Sequence, residues 1–581
     1  MKNLYTLKKY FIQYRSKIIA GLIFIFISNL ASVYVPILIK DAINDLSSGI
    51  NQKVLINYSL LIVGTTIFSG IFRYLIRQTI IVVSRLVEFD LRQDFWAHIQ
   101  RLPLRFFQNN STGNIMAHAT NDISAVRMFV GPAIMYAIDT GTRFLIVVTI
   151  MMMISWKVTL ISLIPLPFLS YLVYYIGKKI HVRFTKIQEK FSDLTTKAQE
   201  NFSGIRVIKS YVAEEREINE FMGLSREYLQ RNMNLVKLQA LFQPILFLIT
   251  GMSIILAIWF GGIEVINKSL KLGDITALVL YLGILIWPMI AFGWVVNIIQ
   301  QAEASMKRLN KIFHEKYEID DSDLTEHNVK SIKGDIEFRN VSFRFEENLP
   351  WVLKDVNLKI RSGETLAMMG RTGSGKTAFI NLIPRFYDVT EGEVLIDGKN
   401  VKSIPLNVLR RSMGVVPQEA FLFSDSIMNN ISYGSGPVSR EAAEEKSRIA
   451  QFHKDVESFP KGYETIVGER GITLSGGQKQ RAALTRALMT EPSILILDDS
   501  FSAVDTHTEE EILKGLKEYM KERTSILVSH RVSTVKDADK IIVIDKGRIA
   551  EEGTHEELLR LDGIYADIYS KQLLEEEIEQ I

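Results

Sequence analysis

Eight consecutive residues, Gly370-Arg371-Thr372-Gly373-Ser374-Gly375-Lys376-Thr377, carry the clearest chemistry in the chain. Glycines allow successive backbone N–H groups to turn inward on one anion, and Lys376 adds a full positive charge beside them. In this pattern the lysine meets the β- and γ-phosphates of a nucleotide, and the Thr377 hydroxyl ligates Mg²⁺. The context agrees. Thr365-Leu366-Ala367-Met368-Met369 suits a buried strand, and the segment after the loop suits a helix whose N-terminal dipole favours anions. Farther on, Ile494-Leu495-Ile496-Leu497 reads as a second buried strand that ends in Asp498-Asp499. A carboxylate in that place suits the Mg²⁺ partner of the phosphate loop, a role that falls to Asp498. Alone, the acidic pair could be a strand-end cap; the phosphate loop upstream favours the functional reading. These two motifs permit any phosphate-loop ATPase or kinase.

Leu474-Ser475-Gly476-Gly477-Gln478 narrows the choice. Its physical logic is a second anion site at a helix N-terminus, with the Ser475 hydroxyl and the N–H groups of Gly476 and Gly477 aimed at phosphate and Gln478 completing the nucleotide-binding set. Here the sequence resembles the ATP-binding cassette (ABC) family, whose signature this pentapeptide is. The resemblance implies that the signature faces ATP held by a second subunit, so that two ATP molecules lie between two cassettes. It further implies that Gln418 touches Mg²⁺ and relays to the membrane domain, that Asp505 sits in a loop joining the two sites, and that His530 contacts the γ-phosphate. Phe345 takes the place of the aromatic residue that stacks on adenine, keeping the π-face of the usual tyrosine and losing its hydroxyl. Thr465-Ile466-Val467-Gly468-Glu469-Arg470-Gly471 resembles a segment specific to exporters. Phe106-Phe107 through Asp122 and Glu200 through Arg206 resemble the two intracellular loops of that class.

One position departs from the family. The residue after the Mg²⁺ aspartate is normally glutamate, the general base or positioner for the attacking water; here it is Asp499. One methylene fewer withdraws the carboxylate by about 1.3 Å, and a base out of hydrogen-bond reach works slowly. A homodimer that tolerates aspartate is one reading. The favoured one is a heterodimer in which this chain supplies the degenerate ATP site, as in the weaker-site subunit of bacterial heterodimeric multidrug exporters, which the sequence resembles.

The elements that must position these residues fall into two halves. Five uncharged runs are long enough to cross a bilayer core of about 30 Å: Ile18–Ile39, Val54–Phe72, Val158–Gly177, Leu238–Ile263 and Ile275–Ala302. A sixth run, Pro132–Ile154, carries Asp139 and Arg143. Lys2, Lys8, Lys9, Arg15 and Lys17 precede the first run without an acidic residue, which predicts a cytoplasmic N-terminus rather than a cleaved signal peptide. A nucleotide-binding C-terminus must also be cytoplasmic, so the number of spans must be even and the sixth run counts. Long helical stretches between spans two and three, and four and five, predict two cytosolic hairpins with tips near 109–113 and 203–204. Asp139 and Arg143 share a helical face and are expected to neutralise each other. Arg73 and Arg77 share a face of span two, either lining a polar cavity or snorkelling to the interface.

The expected architecture is therefore multi-domain: an all-α six-helix transmembrane domain over 1–310, a linker over 311–333, and an α/β phosphate-loop NTPase domain over 334–581. Absence of cysteine excludes disulfides and thiolate chemistry, and a net charge of +3 gives no case for nucleic acid. The reading is an ATP- and Mg²⁺-dependent exporter of amphipathic compounds, multi-pass in a bacterial cytoplasmic membrane. Its expected partners are a second half-transporter, membrane lipid and a hydrophobic or amphipathic small molecule. An ATP-gated channel and an ATP-binding regulator are the rivals.

Overall fold

The computed structural model describes residues 2–49, 52–321, 325–468, 471 and 473–579. The chain divides into two compact units, Met1–Gln100 with Asn110–Glu315, and Arg101–Asn109 with Lys316–Ile581. Each is described by itself.

In the first unit, uninterrupted apolar sequence folds into six long helices: α1 (Arg15–Ser47), α2 (Gln52–Ile99), α3 (Thr112–Ile154), α4 (Trp156–Ser203), α5 (Glu214–Ile266) and α6 (Leu272–Phe313). The segment with Asp139 and Arg143 is one of the six, in α3. All are long and apolar enough to span a membrane. At 1.5 Å per residue the 48 residues of α2 extend about 70 Å, well past a hydrocarbon core of about 30 Å. Only Ser155 separates α3 from α4, and its hydroxyl caps the next helix through the Val158 N–H. The sequence reading missed the short helices at the hairpin tips, Leu104–Asn109 and Ile205–Ser210. Pro103 ends the first run because a helix seldom continues into a proline, and Gly204 breaks the second.

Packing within this unit is close where small residues allow it. A Cβ on Gly131 would lie 2.6 Å from the Ser84 side chain, so only glycine lets α2 and α3 cross there. Tyr281 is fully buried against α1, its hydroxyl donating to the Val33 carbonyl at 2.8 Å. Asn29 is likewise enclosed. Its amide nitrogen donates to the Asp139 carbonyl and the Thr142 hydroxyl, and its oxygen accepts from Arg143 at 3.0 Å. Arg143 also meets the Asp139 carboxylate at 3.2 Å, so the expected neutralising pair is present, with Asn29 as a third member.

The second unit holds two sheets. Strands β1 (Ile336–Phe343), β2 (Leu353–Ile360), β4 (Glu391–Ile396) and β5 (Lys399–Asn400) form an antiparallel sheet in the order β2-β1-β4-β5. The other sheet runs β10-β9-β3-β8-β7-β6, built from β3 (Thr365–Met369), β6 (Met413–Val416), β7 (Ile494–Asp498), β8 (Thr524–Val528), β9 (Lys540–Asp545) and β10 (Arg548–Gly553). Its pairs are parallel except β9–β10. Strands β3 and β7 are almost entirely buried, as strands covered on both faces must be, and this explains their unbroken apolar sequence. Four helices matter for the site: α7 (Lys376–Leu382), α8 (Gly476–Met489), α9 (Thr506–Met520) and α10 (Ile564–Glu579).

Candidate active site

Sheet order alone assembles most of the site. Strands β3, β8 and β7 are neighbours, and Met368, Val528 and Asp498 lie in one row across them. The residues just beyond that row are the phosphate loop, Ser529-His530 and Asp499. Strand β6 ends level with Leu497, which sets Gln418 beside the same edge. In open parallel sheets, ligands bind at the carboxyl ends of the strands, and these loops all leave from those ends.

The loop itself needs its glycines. Gly370, Gly373 and Gly375 have φ of +146°, +80° and +111°, and a Cβ on Gly370 would lie 2.3 Å from the Ile544 carbonyl oxygen. Lys376 starts α7 and folds back over the loop, donating to the carbonyls of Gly370 at 2.7 Å and Arg371 at 3.1 Å. Burial pushes its ammonium pKa down, opposed by the carboxylates of Asp498 and Asp499. Burial also pushes the Asp498 carboxyl up, and the Asp499 charge adds to this, whereas Thr377 and Lys376 oppose it. A phosphate beside Lys376 and a cation beside Asp498 would relieve both penalties.

The residues fit Mg²⁺ with ATP. The Thr377 hydroxyl lies 3.3 Å from Asp498 Oδ2, and the buried Ser374 hydroxyl has no hydrogen-bond partner among the described residues, an unmet need at the heart of the anion cradle. No cluster of three His, Cys, Asp or Glu side chains occurs among the described residues. A hydroxyl and one carboxylate suit a cation that keeps waters and phosphate oxygens as its other ligands.

Asp499 sits at φ +45°, a left-handed conformation that aspartate tolerates better than most residues. Gln418 reaches it at 3.5 Å, the outer limit of a hydrogen bond. His530 presents its ring to solvent. Desolvation and the Lys376 charge lower its pKa from the ordinary imidazole value, with Asp499 opposing. Phe345 is half-exposed and held edge-on by Phe343 and Tyr387, with ring centroids 5.0 and 5.3 Å away. The Tyr387 hydroxyl in turn donates to Gln108 in the hairpin tip at 3.0 Å.

At the start of α8, Ser475 and Gln478 form a reciprocal cap: the serine hydroxyl accepts from the Gln478 N–H at 3.2 Å, and the glutamine oxygen accepts from the Ser475 N–H at 3.0 Å. The serine O–H proton is left to donate elsewhere. A Cβ on Gly477 would come within 2.9 Å of the Ala503 carbonyl, so the signature packs directly on the loop that leads to Asp505. Asp505 caps α9, accepting from the Thr508 N–H at 2.9 Å, and this bond lowers its carboxyl pKa. Glu469 and Arg470 lie outside the described residues.

Three positioning residues escaped the sequence reading. Gln480 receives the Ala503 N–H and donates to the Ser502 hydroxyl, both at 3.0 Å, tying the Asp505 loop to α8. Glu509, buried in α9, binds Arg531 and Thr534, which follow His530 in the chain. Gln572 on α10 clamps the histidine segment itself, its nitrogen donating to the His530 carbonyl and its oxygen accepting from the Val532 N–H at 2.8 Å. No local motif marks any of them, because each acts on a loop distant in sequence. Gln572→Ala is expected to lower kcat of the assembled transporter about 10-fold with little change in the KM for ATP, and Gln572→Glu to recover only part of it, since it keeps one of the two bonds. Steady-state hydrolysis separates the two parameters.

Residues 18–289 match the family described as the ABC transporter transmembrane region, and 353–502 match the ABC transporter family. The chain is 36% identical over 570 residues to a probable multidrug resistance ABC transporter ATP-binding/permease protein of Bacillus subtilis, covering 98% of this chain and 96% of that one. It is 34% identical over 541 residues to an ATP-dependent lipid A-core flippase of Syntrophus aciditrophicus, covering 93% and 90%. A solved bacterial Atm1-family ABC exporter with ATP bound superposes with a TM-score of 0.79 at 26% identity, over 96% of this chain and 98% of that one.

Proposed function

We propose, from the premise that this chain belongs to the ABC transporter family of exporters, that it exports amphipathic compounds as one half of a heterodimer and supplies the weaker of two ATP sites. As a family member it is a multi-pass bacterial membrane protein with ATP-hydrolysing transport activity, uniting six spans and one ATP-binding domain. Relatives named for multidrug resistance and for lipid A-core flipping support an amphipathic cargo. The basic N-terminal segment and the even number of spans support cytoplasmic termini.

In this reading Lys376, the phosphate-loop N–H groups and the Ser374 hydroxyl hold the β- and γ-phosphates, and Phe345 stacks on adenine. Thr377, Asp498 and Gln418 hold Mg²⁺, which when bound neutralises developing charge on the phosphate oxygens. His530 faces the γ-phosphate. Ser475 and its glycines complete the site of the partner, and the partner's signature completes this one. ATP can turn the cavity outward only because it binds the closed pair better than the open pair.

The observation that carries the heterodimer is Asp499, a short carboxylate where hydrolysis needs reach. Purified chain, alone and with a second half-transporter bearing glutamate at that position, is to be reconstituted in inverted vesicles. Uphill, ATP-dependent uptake of an amphipathic dye by the pair only is the expected result. Full activity of the single chain would establish a homodimer instead, and ion currents without uptake would establish a channel.

A further inference from the structure

The signature serine is aimed by a chain of hydrogen bonds that does not end at its own cap. The Gln478 amide oxygen accepts from the Ser475 N–H at 3.0 Å, and the amide nitrogen donates to Asp455 Oδ1 at 2.9 Å. Asp455 Oδ2 takes Arg481 at 2.8 Å, on the same face of α8 as Gln478. Arg481 is fixed in turn, since the same Nη1 donates to the Gln451 carbonyl at 2.6 Å. One carboxylate thus receives the side chains of Gln478 and Arg481 together.

Asp455 lies in a short helix, His453–Ser458, that is anchored on either side of it. Phe452 and Val456 are fully buried in the core that also holds Leu474 and Ala482, and His453 Nδ1 meets the Tyr463 hydroxyl at 3.0 Å. Apolar packing therefore places the carboxylate, which itself stays at the margin of that core.

Direction matters here more than strength. A carboxylate paired with a guanidinium only accepts, so it obliges the Gln478 amide to present its NH₂ group. The amide oxygen is then left for the Ser475 N–H, while the Gln478 N–H donates to the serine Oγ at 3.2 Å. With Oγ already accepting, the exposed serine has its own proton to give away from the helix. A reversed amide would set its NH₂ against the Ser475 N–H; two donors would meet, and the cap would open.

We propose that Asp455 is a positioning residue for hydrolysis, which fixes the Gln478 amide and so holds the Ser475 hydroxyl as a donor to the terminal phosphate of ATP seated on the partner chain. This rests on the shared pocket of the proposed function and adds a residue that acts on it from outside the signature. Its effect falls on the partner's ATP, not on the ATP held by Lys376. Asparagine at 455 keeps the shape and loses the direction: its oxygen stays with Arg481, its nitrogen turns to Gln478, and the amide reverses.

The test compares steady-state hydrolysis by the assembled pair carrying Asp455→Asn, Asp455→Glu, Gln478→Glu, or Asp455→Asn together with Gln478→Glu. Removing a preorganised donor from developing negative charge costs about 10²–10³-fold, so a misaimed one is expected to lower kcat about 10-fold in Asp455→Asn. The KM for ATP, and labelling of this chain by a photoreactive ATP analogue, should stay unchanged. Asp455→Glu still only accepts and keeps most of the rate. Gln478→Glu sets two carboxylates against each other and is slow. The double substitution puts the carboxylate at 478 and the donor at 455, restores every direction in the chain, and should turn over faster than either single variant. A general loss of packing would leave it no faster than Asp455→Asn, and that result would overturn the proposal. So would native hydrolysis in Asp455→Asn while Ser475→Ala is slow, or a fall in labelling at Lys376 that matches the fall in rate. Native hydrolysis in Ser475→Ala itself would instead remove the shared pocket beneath it.

Discussion

Asp499→Glu is expected to raise ATP turnover of the assembled transporter by about 10-fold or more, because it returns the carboxylate to the reach that proton transfer requires. Positioned general bases contribute about 10²–10⁴-fold, so a partial restoration leaves a large effect. The backbone opposes this modestly. Asp499 has φ +45°, where a longer side chain costs roughly 1–2 kcal/mol more than in an ordinary conformation. The anchoring bond from the Asp499 N–H to the Val528 carbonyl, at 2.8 Å, involves only main chain and survives the change. Gln418, now at the edge of contact with the aspartate, would meet the longer carboxylate more closely. Phosphate release by the pair, with and without the substitution, measures the change. No rise would mean that something other than length limits this site.

Lys376→Ala is expected to weaken ATP binding at this chain's site about 100-fold. Hydrogen bonds to a charged group contribute about 1.5–3 kcal/mol each, and in the proposed site the lysine serves two phosphates. The loss is amplified because its ammonium sits in a buried position that only anionic partners make favourable. Folding should suffer as well, since the substitution takes a donor from the Gly370 and Arg371 carbonyls, the first of these bonds being buried. Titration with a fluorescent ATP analogue checks affinity, and a thermal melt checks the fold. In a heterodimer the partner's lysine still binds its own nucleotide, so half of the binding stoichiometry should remain at concentrations that saturate the native pair.

What the sequence made legible was local. The phosphate loop reads directly because its chemistry lies in backbone N–H groups and in residues one after another, and Asp498 reads because an apolar strand must end somewhere. The spans read from length alone, except the one holding Asp139 and Arg143, which needed an argument from parity. The structure supplies its physical reason: Arg143 is satisfied by Asp139 within the helix and by Asn29 from α1, a residue with no mark of its own in the sequence. Long-range partnerships stayed hidden for the same reason. His530 and Gln572 are 42 positions apart, and nothing near either announces the other. The tip helices at Leu104–Asn109 and Ile205–Ser210 were missed because six residues are too few to show a helical period. Arg73 and Arg77 stood out as charges beside an apolar run, but that they line one cavity with Asp139, Arg143 and Trp287 required the packing.

The account depends on one pocket being built by two chains. Because the sequence contains no cysteine, Ser475→Cys introduces a single thiol, and the partner can carry one in its phosphate loop at the position aligned with Gly373. With ATP bound and hydrolysis blocked, a short thiol-specific reagent should join the two chains in high yield, and the yield should fall when nucleotide is removed. A cross-link indifferent to ATP, or chains that stay separate with nucleotide trapped on each, would contradict the shared pocket.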